Sequence, residues 1–216
     1  MKRSFFTGPA VEVVLLTTLL LSSLWLWRGR FPGDFYVCLA LYLGIGVWSH
    51  RRWKESAAEI GVRMDNFGSA FLYGVKLVGP IAVAALLLGA WLGTLQPLPP
   101  LDPFKLARGL AWGLVWATLQ QYGLACVFYR RLRDLLGSHW GASIAAAGFF
   151  ALFHLPNPFL VPVTFGAGIV ACQIYRRVPN VFALGLIHLL LSFALQHAFG
   201  PDITHHMKVG RGYWGA

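Results

Sequence analysis

The sequence predicts an all-α protein, a polytopic bundle of about seven transmembrane helices. Hydrophobic residues make up 57% of the 216 residues and charged residues only 12%, whereas about a quarter of a soluble domain is charged. The chain also divides into apolar runs that short basic or proline-containing connections separate. Because each span needs about 20 apolar residues, little of the chain is left for a separate soluble domain.

The apolar runs define the predicted elements in chain order. The first run, 8–27, is expected to be a retained span, because no small-residue cleavage pattern follows it as it would follow a secretory signal. The fifth run is short, since Pro156 and Pro158 in FHLPNPFL cannot continue a helical hydrogen-bond ladder. The polar segment RRWKESAAEIGVRMDNFG is predicted to form a short interfacial helix with a turn at DNFG. The seven predicted spans are 8–27, 33–49, 67–94, 106–129, 141–155, 159–175 and 180–199.

The basic residues indicate a membrane protein and not a nucleic-acid-binding one. The net charge is +10, but the clusters SHRRWK, YRRLR and YRRVP lie between apolar runs, where Lys and Arg usually flank spans as loop anchors. We therefore expect membrane lipid and no nucleic acid as partners. The distribution of Lys and Arg favours a cytoplasmic N-terminus. We expect the membrane to be a bacterial inner (plasma) membrane.

Polar side chains concentrate in the last four runs, where a bilayer would disfavour them. Polar groups within spans usually face the bundle interior or a wet cavity. Those on the last run are spaced by four residues, so they share one helix face. Each residue taken alone also fits interhelical hydrogen bonding, which contributes about 0.6 kcal/mol. The set comprises Gln120, Gln121, His154, Gln173, His188, Ser192 and Gln196.

Three of these stretches follow one another in a recognisable order. FALFH ends at His154, HLLLS runs from His188 to Ser192, and QQYGLA begins at Gln120. In this order the chain resembles the CPBP family of intramembrane proteases, also called the ABI or CAAX prenyl-protease-like family. That family carries EExxxR, then FxxxH, then a His followed four residues later by Asn or a similar residue. The resemblance covers about 104–199 and implies three parts: N-terminal helices with an interfacial connector (1–103), a protease-like core (104–199) and a tail (200–216).

The resemblance implies a catalytic set and also a defect in it. In the family, a first-motif glutamate and the two histidines are thought to activate water, and the third-motif polar residue helps to hold the oxyanion. The corresponding residues here are Gln120, Gln121, His154, His188 and Ser192. Both glutamates are replaced by glutamine, and Ala125 occupies the position of the arginine.

The glutamines restrict the available chemistry. An amide does not titrate, so it can orient water but cannot take its proton. His154 and His188 are then the expected bases. Glu12, the only acid within an apolar run, is expected to lie near the membrane interface. No metal or other cofactor is expected, because two histidines are fewer than the three protein ligands of a catalytic zinc site.

Three functions remain open from the sequence. The first is an intramembrane endopeptidase, with weakened or altered catalysis, that cuts membrane-associated substrates. The second is an inactive relative that binds a membrane segment or a lipidated peptide without cutting it. The third is a small transporter whose pathway the polar residues line.

Overall fold

Helices form the regular structure of the computed structural model, which describes residues 8–97 and 102–215. No strand occurs within these ranges, so the predicted all-α fold is confirmed for them. Short 3₁₀ turns follow the last helix at His205–Met207 and Gly210–Trp214. The helices are α1 Pro9–Ser22, α2 Asp34–Arg52, α3 Phe67–Leu92, α4 Pro103–Gln121, α5 Arg130–Leu136, α6 His139–Leu152, α7 Leu160–Arg177, α8 Val181–Ala198 and α9 Pro201–Thr204.

Three of the described helical stretches are both long and apolar enough to cross a bilayer. They are Pro9–Trp27, which is α1 with a π-helical turn added, Phe67–Leu92 and Val181–Ala198. His139–Leu152 is a shorter apolar helix. The protein is therefore a membrane protein, and the count of seven spans stays a prediction. Lys2 and Arg3, which contribute to the predicted orientation, lie outside the described residues.

The fourth predicted run is part of a longer helical stretch. Asp102 caps the start of α4, because its carboxylate accepts hydrogen bonds from the backbone N–H groups of Phe104 and Lys105, both 3.0 Å long. After α4 the chain winds as a π-helix from Tyr122 to Tyr129 and then continues as α5. The basic run YRRLR, predicted to be a loop anchor, is thus mostly helical. It can be helical because one of its arginines finds buried carboxylates, as described below.

The predicted interfacial helix between α2 and α3 is absent. Residues 53–66 form turns, without a helix. Two of these residues have positive φ angles, 56° at Lys54 and 78° at Gly61, which right-handed helices do not contain. The polar pattern of the segment therefore marks a structured connection and not a surface helix.

Contacts divide the chain into two units, of which the first consists of the described parts of Met1–Ser56, Gly123–Cys172 and Met207–Ala216. In this unit α1 packs against α2 and α5, and α5 packs against α6. Leu16, Val127, Ala142 and Ala146 have no solvent exposure. Small residues in α6 let its neighbours approach closely, as is typical of helices in membranes.

The second unit consists of the described parts of Ala57–Tyr122 and Gln173–His206. Here α8 packs along both α3 and α4. A Cβ atom at Gly89 would lie 2.3 Å from the carbonyl oxygen of Ala198, and one at Gly185 would lie 2.2 Å from Oγ1 of Thr118. Both distances are far below van der Waals contact, so only glycine permits these approaches. The close packing of α4 on α8 fixes which of their polar residues meet.

Candidate active site

The end of α4 and the middle of α8 carry a partly buried amide–imidazole pair in the second unit. Nε2 of Gln121 lies 3.0 Å from Nδ1 of His188, a hydrogen-bond distance. Gln121 is only 4% exposed. Its other polar atom, Oε1, is buried and has no hydrogen-bond partner within residues 8–97 and 102–215. A buried acceptor without a partner costs about 1–3 kcal/mol, so this position favours a water or a substrate group.

Asn180 fixes the start of α8 and thereby the position of His188 along the helix. Its Oδ1 accepts a hydrogen bond from the N–H of Ala183 (2.8 Å), which caps the helix. Its Nδ2 donates to the carbonyl of Arg63 and to Oδ1 of Asn66, at 2.7 Å in both cases. Asn180 is completely buried. The register of α8, and with it the position of His188 two turns later, is therefore anchored by a fully satisfied amide.

The other two predicted residues of this unit lie beside the pair. Gln120 is partly buried and sits on α4 about 100° around the helix from Gln121. Ser192 is partly buried and lies one turn after His188 on the same face of α8. Gln196, one turn further, is exposed and donates to the carbonyl of Ser192 (3.3 Å). The predicted polar stripe on α8 thus runs from a half-buried end to an exposed end.

The chemistry of the pair depends on which end of the amide faces the imidazole. An amide NH₂ that donates to Nδ1 leaves the proton of neutral His188 on Nε2. A rotation of the amide by 180° would place Oε1 of Gln121 against an Nδ1–H of His188. The Nε2 atom of His188 would then be unprotonated and could accept a proton. A carboxylate at the same position could only accept. Glutamine is therefore compatible with both tautomers of His188, and glutamate would favour one.

His154 belongs to the first unit and follows the end of α6. Its Nδ1 lies 2.6 Å from the carbonyl oxygen of Phe150 and must donate to it, because a carbonyl only accepts. The Phe150 ring packs edge-on against the imidazole, with 4.7 Å between ring centres. Neutral His154 therefore carries its proton on Nδ1 and presents Nε2 as an acceptor. This is the tautomer that a general base needs.

The turn after His154 is held from both sides. Asn157 is completely buried, and its Oδ1 accepts hydrogen bonds from the N–H groups of Phe159 (3.0 Å) and Leu160 (2.9 Å). Its Nδ2 donates to the carbonyl of Lys208 in the C-terminal tail (3.1 Å). The N–H of Gly210 donates to the carbonyl of Leu155 (2.8 Å). The sequence motif HLPNP is thus a turn that the tail holds in place.

A second polar cluster in the first unit was not predicted from the sequence. Arg131 and Glu12 are both completely buried, and Nε of Arg131 lies 2.6 Å from Oε2 of Glu12. The same carboxylate accepts hydrogen bonds from the hydroxyl of Ser49 (2.5 Å) and from the indole N–H of Trp53 (2.7 Å). Arg52 lies 3.7 Å from its Oε1. We call this cluster, together with Glu55 and its partners, the buried ion cluster.

Glu55 forms the other half of the buried ion cluster. Its Oε2 lies 2.5 Å from Nη2 of Arg131 and 2.8 Å from Nδ1 of His50, and its Oε1 lies 2.9 Å from Nε of Arg130. Burial opposes ionisation of Glu55, but hydrogen bonds from His50, Arg131 and Arg130 outweigh it. They hold the pKa of the carboxyl well below its ordinary value. Glu55 is therefore ionised throughout the physiological pH range.

The buried ion cluster answers whether Glu12 is available as a base. Both oxygens of Glu12 already accept hydrogen bonds or face arginine. A general base needs a free lone pair directed at water. Glu12 instead stabilises Arg131. The sequence did contain a signal for this ion pair, namely a single acid within an apolar run. A buried charge requires a partner of opposite charge, so Glu12 required a cation.

No group of three His, Cys, Asp or Glu side chains within the described ranges could hold a metal ion. Within these ranges, neither His188 nor His154 has the two further protein ligands that a catalytic zinc site needs. An imidazole can take or give a proton, and the neighbouring amide and hydroxyl groups can only orient a reacting group by hydrogen bonds.

The comparison with family models matches the region that carries these residues. Residues 102–194, somewhat less than half of the chain, match the model described as Rce1-like, type II CAAX prenyl endopeptidase Rce1-like. The predicted resemblance to the CAAX-protease-like family is thereby confirmed. No curated protein and no solved structure matches the chain.

Proposed function

We propose that this protein is an intramembrane endopeptidase of CAAX-protease type in which an imidazole replaces the family's glutamate as the base. The observation that carries the proposal is the hydrogen bond between Gln121 and His188, beside a buried amide oxygen that lacks a partner in the described chain. Whichever atom of the amide occupies this position can hold a water next to the imidazole. We propose 104–199 as the catalytic core and a membrane-associated or lipidated peptide as the substrate class.

The proposed reaction uses His188 in the tautomer with a proton on Nδ1. The structure has Nε2 of Gln121 facing Nδ1, so this tautomer requires the amide to be turned by 180°. Oε1 of Gln121 then accepts a hydrogen bond from Nδ1–H, and Nε2 of His188 takes a proton from water. The resulting hydroxide forms the new C–O bond, the C–N bond breaks, and the imidazolium returns the proton to the leaving amine. Ser192 is proposed to donate a hydrogen bond to the oxyanion. His154 stays a predicted base or acid, because its Nδ1 proton leaves Nε2 as an acceptor.

The inactive binder is the second candidate, and one observation favours it. Neither α4 nor α8 contains a carboxylate, so no acid on these two helices can fix the reactive tautomer of His188. Loss of general acid–base help reduces a rate by about 10²–10⁴. A protein with this pair could retain a peptide in a polar site and leave it uncut. Nothing in the described geometry favours a transporter.

The test is a search for new N-termini among membrane proteins in cells that carry the wild-type protein or a His188→Ala variant. We expect His188→Ala to lower processing by about 10²-fold or more, because the base is lost. His197→Ala is the matched control, since His197 lies on the same helix about two and a half turns later and outside the proposed site. Processing that is equal in all three strains would contradict the enzyme.

Gln121→Glu separates the two candidates. A glutamate would accept from Nδ1–H of His188 and fix Nε2 as the base, so we expect cleavage to rise by about tenfold or more. An inactive binder would instead yield a partner that crosslinks equally to the wild type and to His188→Ala, with no new N-terminus in either strain. Measured cleavage and crosslinking yields in the same membranes distinguish these results.

A further inference from the structure

A groove lies between α1 and α2 on the first unit. Its volume is about 300 Å³. Leu15, Leu41 and Trp48 contribute to its walls although each is more than two-fifths exposed. An apolar groove of this kind on a membrane protein can take an acyl chain, because the chain fills it without loss of hydrogen bonds. The lining residues are Leu15, Ala40, Leu41, Gly44, Ile45 and Trp48.

The α2 face that lines the groove continues into two arginines. Arg51 and Arg52 follow Trp48 by three and four residues, so they lie on the same side of the helix. The guanidinium of Arg52 lies 5.2 Å from the centre of the Trp48 ring. Arg52 is also paired with Glu12 at 3.7 Å. The end of the groove is therefore marked by an aromatic ring and by positive charge.

Arg51 is the arginine whose charge could bind a group outside the protein. It is exposed, and its side chain forms no ion pair within the described parts of the chain. The guanidinium fork matches phosphate geometry in two hydrogen bonds. Tryptophan and basic residues at a helix end are typical of the level of lipid headgroups. Apolar groove, ring and cation thus follow one another in the order of an acyl chain, its ester region and its phosphate.

We propose that this groove binds one anionic phospholipid, with an acyl chain along Gly44 and Trp48 and its phosphate on Arg51. The lining of α2 from Ala40 to Trp48 extends about 12 Å along the helix, which is most of one leaflet's hydrocarbon depth of about 15 Å. A zwitterionic lipid would place its ammonium group near two arginines. Charge complementarity therefore selects an anionic headgroup, and the site is independent of the proposed catalysis.

The test uses the full-length protein reconstituted with equal amounts of phosphatidylglycerol and phosphatidylcholine, followed by native mass spectrometry of retained lipid. Gly44→Leu should fill the groove, because a Cβ at Gly44 meets no atom within 4 Å and the helix need not move. Its matched control is Gly109→Leu on α4, where a Cβ also meets nothing within 4 Å. We expect Gly44→Leu to abolish selective retention and Gly109→Leu to preserve it.

The headgroup is tested by Arg51→Gln. We expect about fivefold weaker retention of phosphatidylglycerol, since one basic residue at an anionic surface contributes about 1 kcal/mol. Arg177→Gln, which removes an exposed arginine from the end of α7, should leave retention unchanged. Equal retention of the two lipids by the wild type, or equal loss in Gly44→Leu and Gly109→Leu, would overturn the proposal.

Discussion

The carboxylates of the buried ion cluster and the amide of the Gln121–His188 pair differ in how completely they are hydrogen-bonded. In the first unit, Glu12 and Glu55 meet Arg130 and Arg131, and both carboxylates are fully engaged. In the second unit, Gln121 meets His188 through one amide atom, and its other atom lacks a partner in the part of the chain described. A satisfied charged cluster holds helices together, whereas an incompletely satisfied neutral pair can accept a ligand. The polar groups of the ion cluster therefore stabilise the fold, whereas those of the Gln121–His188 pair can also take part in binding or chemistry.

We expect the largest loss of stability when the buried ion cluster loses its central arginine. Arg131→Ala removes the cation that both Glu12 and Glu55 contact. Removal of one partner from a buried ion pair leaves uncompensated charge, so we expect the free energy of unfolding to fall by about 3–5 kcal/mol. Denaturation of the purified protein in mixed micelles measures this loss.

The matched control for Arg131 is an arginine two residues later. Arg133→Ala alters an ion pair in which the arginine side chain is 36% exposed, and exposed pairs contribute about 1 kcal/mol or less. Similar losses for the two variants would show that the buried ion cluster contributes no more to stability than a surface pair.

The next largest effect is expected where α4 packs on α8, close to the Gln121–His188 pair. Gly185→Ala places a Cβ 2.2 Å from Oγ1 of Thr118 and 2.9 Å from its Cα atom, so α4 and α8 must separate. We expect a loss of about 1–3 kcal/mol in unfolding free energy from overpacking. Processing should also fall, because separation of the helices lengthens the contact between Gln121 and His188.

Gly109→Ala provides the reference for Gly185→Ala. A Cβ at Gly109 meets no atom within 4 Å, so the same chemical change should leave both stability and processing close to wild type, with a small gain from helix propensity. Unfolding and N-terminal proteomics on the same preparations provide both readouts. Retained processing in Gly185→Ala would argue against a role for the close contact of the helices.

The smallest effect is confined to acidic pH and again concerns the charged cluster. The pKa of Glu55 is held below its ordinary value by His50, Arg131 and Arg130 against the cost of burial. Its contribution to stability is therefore fully present above about pH 4.3, the ordinary glutamate pKa, and is lost progressively as the pH falls below that value. We expect the wild-type melting temperature to decrease more steeply between about pH 5 and pH 2 than that of Glu55→Gln.

Glu59→Gln is the control for this pH dependence, because Glu59 is exposed in the same connection. Its melting curve should stay close to the wild type at every pH, since an exposed ion pair contributes about 1 kcal/mol or less. A wild-type slope equal to that of Glu55→Gln would exclude Glu55 as a source of acid sensitivity.

The sequence predicted much of the fold because helical periodicity and proline breaks are local properties. Helices α2, α3, α6, α7 and α8 start and end within about three residues of the predicted runs, and α6 ends at Leu152, before Pro156. The predicted run 106–129 is instead divided, because α4 ends at Gln121 and a π-helix follows it. The order of FALFH and HLLLS also predicted the resemblance to the family whose model matches residues 102–194. The connector after α2 was the exception. Its polar pattern resembles an interfacial helix, but positive φ angles at Lys54 and Gly61 interrupt the backbone there.

The helical class, the family resemblance and the absence of a titrating acid at positions 120 and 121 all follow from the amino-acid sequence without a structure. Only the tertiary structure decided that Gln121 and not Gln120 contacts His188, because the rotation of α4 against α8 is set by the close approach at Gly185. It also decided that Glu12 pairs with Arg131, more than a hundred residues away in the chain. Such pairings depend on packing between distant segments, which no local pattern encodes.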